Sequence, residues 1–291
     1  CHPVQSKTRL PRVSYPYRKG VLSHSEVAMS AHQIPSMINT ATAASVTLLK
    51  GGLVIDGTGS APQPNTDVLL IDKQIAAVGK NLQLDADVLS KAKIVDCSKF
   101  TVMPGLIDAH VHVTLGEPSS NDELFGHREP ATSAILAAYN LRKILKSGVT
   151  SMLDVDGIFN IGPALRDCVN AGIIEGPNMR SGSFALVTAV GGTAGRRIPD
   201  RGTAGYAEVV GDKDEMVRVV RRQIKDGADI IKIHATGSVP TRRGELPVWT
   251  REELKVVCDT AHALEVPVTA HCRGDQSTLD CVMAGVDIIW H

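Results

Sequence analysis

Pro104-Gly105-Leu106-Ile107-Asp108-Ala109-His110-Val111-His112 is a short apolar run that ends in two histidines one residue apart. Alternate side chains of a β-strand point to the same face, so a His-x-His at a strand end aims two imidazoles at one point. Histidine is the commonest nitrogen ligand for zinc and similar divalent ions, which gives the pair a metal-binding geometry. The same spacing also occurs on solvated strands, and the motif alone leaves both readings open. The stretch also divides the chain: upstream of Pro104 short strands alternate with turns, and downstream strand alternates with helix.

Downstream, residues 131–146 read as an amphipathic helix stopped by Ser147-Gly148 and followed by a strand at 150–154. Residues 163–171 read as a short helix ended by Gly172, and 178–181 as a third strand. A helix over 212–226 places Val217, Val219, Val220 and Ile224 inside, and a fourth strand follows at 229–233. The capping box Thr250-Arg251-Glu252-Glu253 opens a helix that runs to Leu264. A fifth strand at 266–271, a short helix at 278–284 and a sixth strand at 286–291 complete the series. The Gly-rich stretch 191–195 is not a P-loop, because no Gly-Lys-Ser/Thr follows it. Repeated βα units with near-continuous apolar strands imply a parallel sheet covered on both faces, and no nucleotide fingerprint favours a doubly wound sheet. The expected fold is α/β: an incomplete TIM-like (β/α)8 barrel over residues 105–291, with about six βα units.

Upstream, residues 47–104 read as a small β-rich domain, part of a β-sandwich whose open edges need partner strands. Residues 1–46 are rich in Ser, Pro, His and Arg without periodicity and lack the apolar region of a secretory signal; they read as a flexible N-terminal extension. The chain begins with Cys1 and stops at His291 directly after an apolar run, which reads as the N-terminal part of a longer protein.

Hydrophobic residues make up 43% and charged residues 21%, the composition of a globular protein with a substantial core. Lys+Arg and Asp+Glu each count 31, so no basic excess exists to bind nucleic-acid phosphates, and 3% aromatics leave few stacking platforms. No apolar run approaches the roughly 20 residues that span a bilayer, so neither nucleic acid nor membrane is an expected partner. Six cysteines without a CxxC read as buried free thiols in a reducing compartment, and no Asn-x-Ser/Thr occurs. Both point to the cytoplasm.

Four of the downstream strands end in a potential metal ligand: His110 and His112 on the first, Lys232 on the fourth, His271 on the fifth and His291 on the sixth. In a βα barrel the C-terminal strand ends converge on one mouth, where catalysis sits. Singly, a strand-end histidine is commonly a hydrogen-bonding residue, and a lysine in an apolar strand is one that snorkels outward. Five such residues at corresponding ends are far less expected by chance.

This set resembles the amidohydrolase superfamily, in the imidazolonepropionase-like and prolidase-like branch that includes Xaa-Arg dipeptidases, prolidases and ochratoxinase-type hydrolases. The resemblance runs from about Leu48 to His291 and rests on Gly51-Gly52-x-x-x-Asp56-Gly57, on Met103-Pro104-Gly105-Leu106-Ile107-Asp108-x-His110-x-His112, on Ile231-Lys232-Ile233-x-Ala235-Thr236-Gly237, on Ala270-His271 and on Gly285-Val286-Asp287-x-Ile289-x-His291. It implies that His110 and His112 bind one divalent metal ion, that His271 and His291 hold a second, and that Lys232 bridges both as a carbamate formed with carbon dioxide. A free lysine with a pKa of about 10.4 is cationic, but burial disfavours the ammonium and the neutral amine can add CO2. Two ions, for which zinc suits these ligands, lower the pKa of a bridging water so that hydroxide exists near neutral pH. The catalytic aspartate that the resemblance implies would lie beyond residue 291.

The implied activity is metal-dependent hydrolysis of an amide C–N bond in a small peptide-like or N-acyl amino acid substrate. Alternatives are a cyclic amide (imidazolone-type) hydrolase and a catalytically inactive truncated remnant; a homo-oligomer is also compatible. The chain departs from the branch in three places. Gly192-Thr193-Ala194 stands where a histidine is usual after strand three, Arg273 where a second histidine follows the strand-five ligand, and Trp290 where an acidic residue precedes the strand-six histidine. Arg273 is a candidate for pairing with a substrate carboxylate through its planar fork, beside the plainer reading of a surface arginine. His234, two residues past Lys232 on the same strand face, is a candidate substrate contact, beside the plainer reading of a loop histidine.

Overall fold

A computed structural model describes residues 45–116, 118–120, 123–191, 202–204, 207–237 and 246–291. The expectations for residues 1–44 and for 192–195 lie outside these. The first sheet contains β1 (Val46–Val54), β2 (Gln63–Ile71), β3 (Gln74–Gly79), β4 (Ala92–Asp96) and β5 (Thr101–Val102), with α1 (Ala86–Lys91) before β4. Its order is β3-β2-β1-β4, with β5 also on β1. The β1–β2–β3 meander is antiparallel, whereas β4 and β5 run parallel to β1. Alternation in β1 buries Val46 and Leu48 against Leu69, with Ile71, Ala77 and Leu84 packed around them. Asp72 makes the tight β2–β3 turn at φ 53°, a left-handed conformation that aspartate tolerates better than most residues. The α1 helix, not anticipated from the sequence, buries none of its residues.

The second part alternates strand and helix as expected. Its elements are β6 (Leu106–Val111), α2 (Pro130–Lys146), β7 (Val149–Asp154), α3 (Gly162–Asn170), β8 (Asn178–Ser181), β9 (Ala185–Val187), β10 (Gly202–Ala204), β11 (Ala207–Val209), α4 (Lys213–Lys225), β12 (Ile231–His234), α5 (Arg251–His262), β13 (Val268–His271), α6 (Asp275–Ala284) and β14 (Ile288–Trp290). Strands β6, β7 and β8 pair in parallel, as do β9, β12, β13 and β14. Among the described residues this is a partial TIM-like barrel of six parallel wall strands. The third of these is split: β8 pairs with β7, and β9 pairs with β12 after Gly182-Ser183-Phe184. The hairpin β10–β11 continues this sheet beyond β9, with β11 parallel to β9 and β10 antiparallel to β11. The sequence reading found β8 but not β9, β10 or β11.

The helices form where local chemistry places them. The Thr250 capping box is present, with Glu253 N–H donating to Thr250 Oγ1 at 3.3 Å and Thr250 N–H donating to the Glu253 carboxylate at 2.8 Å. Asp212 caps α4 by accepting from Glu215 N–H at 2.8 Å. The buried stripe of α4 is Met216, Val219, Val220 and Gln223, so Met216 takes the core position expected for Val217, and Ile224 is half-buried. Met216, Val219/Val220 and Gln223 follow the helical repeat, from which Val217 is displaced by about 100°. That stripe packs with Leu254, Val257 and Cys258 of α5 over Ile231, Ile233, Val268 and Ala270 of the wall. All five described cysteines are free, four of them buried. Among the described residues no helix is long and apolar enough to cross a membrane.

Candidate active site

The ends of β6, β12, β13 and β14 surround a cavity of about 200 Å³ lined by His110, His112, Leu115, Asp156, Lys232, His234, His271 and His291. Lys232 and His234 alternate on the inner face of β12, and His234 is in register with His271 on β13. The imidazole centroids of His110 lie 5.0 Å from those of both His112 and His291, and His271 lies 4.8 Å from His291 and 5.1 Å from His234. Six of the seven residues singled out from the sequence therefore share one cavity. His234 ends a strand and is 3% exposed, so the loop-histidine reading does not hold. Lys232, 1% exposed, does not snorkel outward. Arg273 is exposed and outside the cavity lining, although its charge reaches His271.

Asp156 is a site residue that the sequence reading missed. It follows β7 by two residues and is fully buried. One carboxylate oxygen lies 2.9 Å from His112 Nδ1, whose hydrogen bond falls on the Asp156 backbone carbonyl at 3.1 Å. The other accepts from His234 Nε2 at 3.3 Å. The available signal was Asp154-Val155-Asp156, two carboxylates at strand spacing where the second barrel strand reaches the mouth.

A polar scaffold holds the loop that follows the His-x-His. Asp154 accepts from Val113 N–H and from Ser181 Oγ, each at 3.1 Å. Asn140 donates to the Val113 carbonyl at 2.9 Å, and Thr114 Oγ1 accepts from Ile158 N–H at 2.9 Å. Arg128 donates to the carbonyls of Thr114 and Gly116 while its other nitrogens grip Glu123 at 2.7 and 2.8 Å. Between neighbouring strands, Thr236 Oγ1 accepts from Arg273 N–H at 3.0 Å, joining the segments after β12 and β13. Buried polar groups paired in this way rigidify the frame around the cavity.

The electrostatics separate the histidines. Burial and then the Lys232 charge push His110 down to about 4, and burial and then His234 push His271 down to about 3. Burial also lowers Lys232 and His234. His112 is raised instead: burial opposes its charge, but Asp156 outweighs burial. Burial alone would raise Asp156, yet His112 and His234 hold it well below the usual carboxylate range. His110 and His271 are thus neutral imidazoles at physiological pH, and the Nε2 atom of each is buried without a hydrogen-bond partner. Among the described residues no three His, Cys, Asp or Glu side chains already stand in the arrangement of a formed metal site. Unpartnered neutral imidazole nitrogens beside a buried lysine nevertheless fit the donor chemistry of divalent zinc-like ions.

Residues 101–291 match the amidohydrolase family. The ochratoxinase of Aspergillus niger is 30% identical over 283 residues, which cover 91% of this chain and 58% of that protein. The crystal structure of A. niger ochratoxinase superposes with a TM-score of 0.72 at 29% identity, covering 84% of this chain and 60% of that one. The crystal structure of a Xaa-Pro dipeptidase with bound methionine superposes with a TM-score of 0.68 at 28% identity, covering 84% and 61%. This chain therefore spans less than two thirds of the length of these relatives. With the family match extending over well more than half of its residues, the chain belongs to the amidohydrolase family.

Proposed function

We propose that this chain carries the metal-binding part of a hydrolase that cleaves an amide C–N bond in a small peptide-like or N-acyl amino acid substrate. The observation that carries the reading is the convergence of His110, His112, Lys232, His271 and His291 on one cavity, with His110 Nε2 and His271 Nε2 unpartnered. In this reading His110 and His112 would hold one divalent ion and His271 and His291 a second, with zinc one ion that suits imidazole. Bound there, the ions supply Lewis acidity and an activated water for attack on the amide carbonyl.

The chain's own residues account for the rest. Burial disfavours the Lys232 ammonium, which favours the neutral amine. Addition of carbon dioxide to that amine, with a nitrogen–carbon bond formed as one C–O π bond opens and a proton leaves, would give an anionic carbamate whose oxygens suit divalent ions. Arg273, outside the cavity lining but with its charge felt by His271, pairs in this reading with a carboxylate of the substrate. His234 contributes an imidazole to the cavity wall. The names of the ochratoxinase and the Xaa-Pro dipeptidase support a small amide-containing substrate. Residues 47–104 belong in the same reading to a composite β-sandwich, and residues 105–291 to the hydrolase barrel.

Elemental analysis of the purified protein tests the proposal. Two zinc-like ions per chain are expected, together with hydrolysis of Xaa-Pro or N-acyl amino acid substrates by the protein at the full length of its relatives. A protein that takes up no divalent ion with all five side chains intact overturns it.

A further inference from the structure

Asp156 is a buried carboxylate in the cavity to which the ligand assignment gives no role. It stands between two histidines from different strands, 44 residues from His112 and 78 from His234 in sequence. Both of its contacts with His112 fall on Nδ1: the backbone carbonyl at 3.1 Å and a carboxylate oxygen at 2.9 Å. Only the carbonyl contact is a hydrogen bond, and the buried carboxylate oxygen beside it has no hydrogen-bond partner, yet two oxygens facing Nδ1 place the proton on that atom, because a lone pair there would meet only other lone pairs. In a neutral imidazole this leaves the lone pair on Nε2, on the far side of the ring. For His234 the assignment is reversed, since the other Asp156 carboxylate oxygen faces Nε2 at 3.3 Å.

We propose that Asp156 is a positioning residue that sorts the histidines of this cavity: it holds His112 as the Nδ1–H form with Nε2 reserved for a metal ion, and occupies His234 Nε2 so that this nitrogen is withheld from the metal. The proposal rests on the reading of His112 as a metal ligand. A carboxylate behind a ligating histidine fixes ring orientation and tautomer and raises the basicity of the coordinating nitrogen, and losing such a partner commonly costs about 10–100-fold in metal affinity. The negative charge of Asp156 also lies near Lys232, whose ammonium it favours. The carboxylate therefore serves the histidines rather than the lysine's conversion.

The test combines Zn2+ competition titration with histidine 15N spectra of the full chain. In the wild type, His112 is expected to show Nδ1–H and a shift at Nε2 on Zn2+ addition, while His234 keeps Nε2–H. Asp156→Asn is expected to lower the melting temperature of the metal-free protein, because the buried anion between His112 and His234 is lost, and also to weaken Zn2+ binding about 10–100-fold at temperatures where the variant is fully folded, a loss that a merely structural role would not produce. Wild-type Zn2+ affinity in Asp156→Asn, or an Nε2–H form of His112, overturns the proposal while leaving the hydrolase reading standing. A wild-type protein that binds no Zn2+ overturns both. If Asp156→Asn fails to fold, Asp156→Ser supplies the affinity and the wild-type tautomers are read independently.

Discussion

The indole N–H of Trp249 donates to the backbone carbonyl of His234 at 2.9 Å. Trp249 is 4% exposed and packs in the core formed by α4, α5 and the wall strands, so the bond ties the end of β12 to that core two residues beyond Lys232. Trp249→Phe keeps most of the packing and removes the donor from a buried carbonyl. Urea unfolding should show a loss of about 1–3 kcal/mol. A variant as stable as the wild type would mean that the carbonyl finds another donor.

Lys232 is a buried amine in an otherwise apolar strand, and burial lowers its pKa from the ordinary lysine value. A lysine whose folded pKa is depressed costs stability fully below that pKa, and the cost fades as pH rises to the unfolded value. Lys232→Met, which keeps the apolar stem, should therefore make the metal-free protein more stable at neutral pH, with the gain shrinking toward pH ~10. The same variant should lose bound metal. Melting curves at pH 7 and 9.5 with elemental analysis check both; an unstable, metal-replete variant would contradict the assignment.

Asp154 titrates in the opposite sense. Burial pushes its carboxyl up to about 7, and the Val113 N–H bond only partly offsets this. An acid whose folded pKa exceeds its unfolded value lends stability at low pH that is lost as pH rises through the folded pKa. The wild type should thus lose stability between pH ~4 and pH ~7, by about 4 kcal/mol at most for a rise of roughly three pKa units. Asp154→Asn keeps an acceptor for Val113 and carries no charge, so it should flatten that slope and be the more stable form at pH 8. Denaturant midpoints at pH 5 and 8 decide it, and a less stable variant at pH 8 counts against the raised carboxyl.

Gly182 marks the break between β8 and β9. A Cβ there would lie 2.1 Å from the Val155 carbonyl oxygen, and the Gly182 N–H donates to the Asp154 carbonyl at 2.8 Å. The obstruction is backbone, so no rotamer relieves it. Gly182→Ala should lower stability by about 1–3 kcal/mol, as overpacked cores do, and disturb the Asp154–Ser181 contact beside it. Circular dichroism melting measures the first effect; a neutral substitution would show that the two wall strands separate easily.

Several features were legible because they depend on neighbours in sequence. His110-x-His112 and Lys232-x-His234 face the cavity because a strand alternates every residue, and the Thr250 capping box works within four residues. The strand–helix rhythm predicted the parallel wall. The strand β9 escaped because its three residues are buried, so no polar alternation marks them, and its partner β12 lies across α4 in sequence. Val217 was misplaced in favour of Met216 because a run of valines hides the helical phase that packing against α5 sets.

The sequence by itself determined the parallel barrel wall and the presence at strand ends of five side chains whose chemistry suits a metal, since periodicity and residue chemistry are local. Only the tertiary structure decided which nitrogen of His112 and of His234 faces Asp156, because that depends on the segment after β7 arriving between them. It likewise left Arg273 exposed and outside the lining. Side chains distant in sequence interact only once strand packing has set their distances, and charges couple appreciably only when burial removes the intervening water.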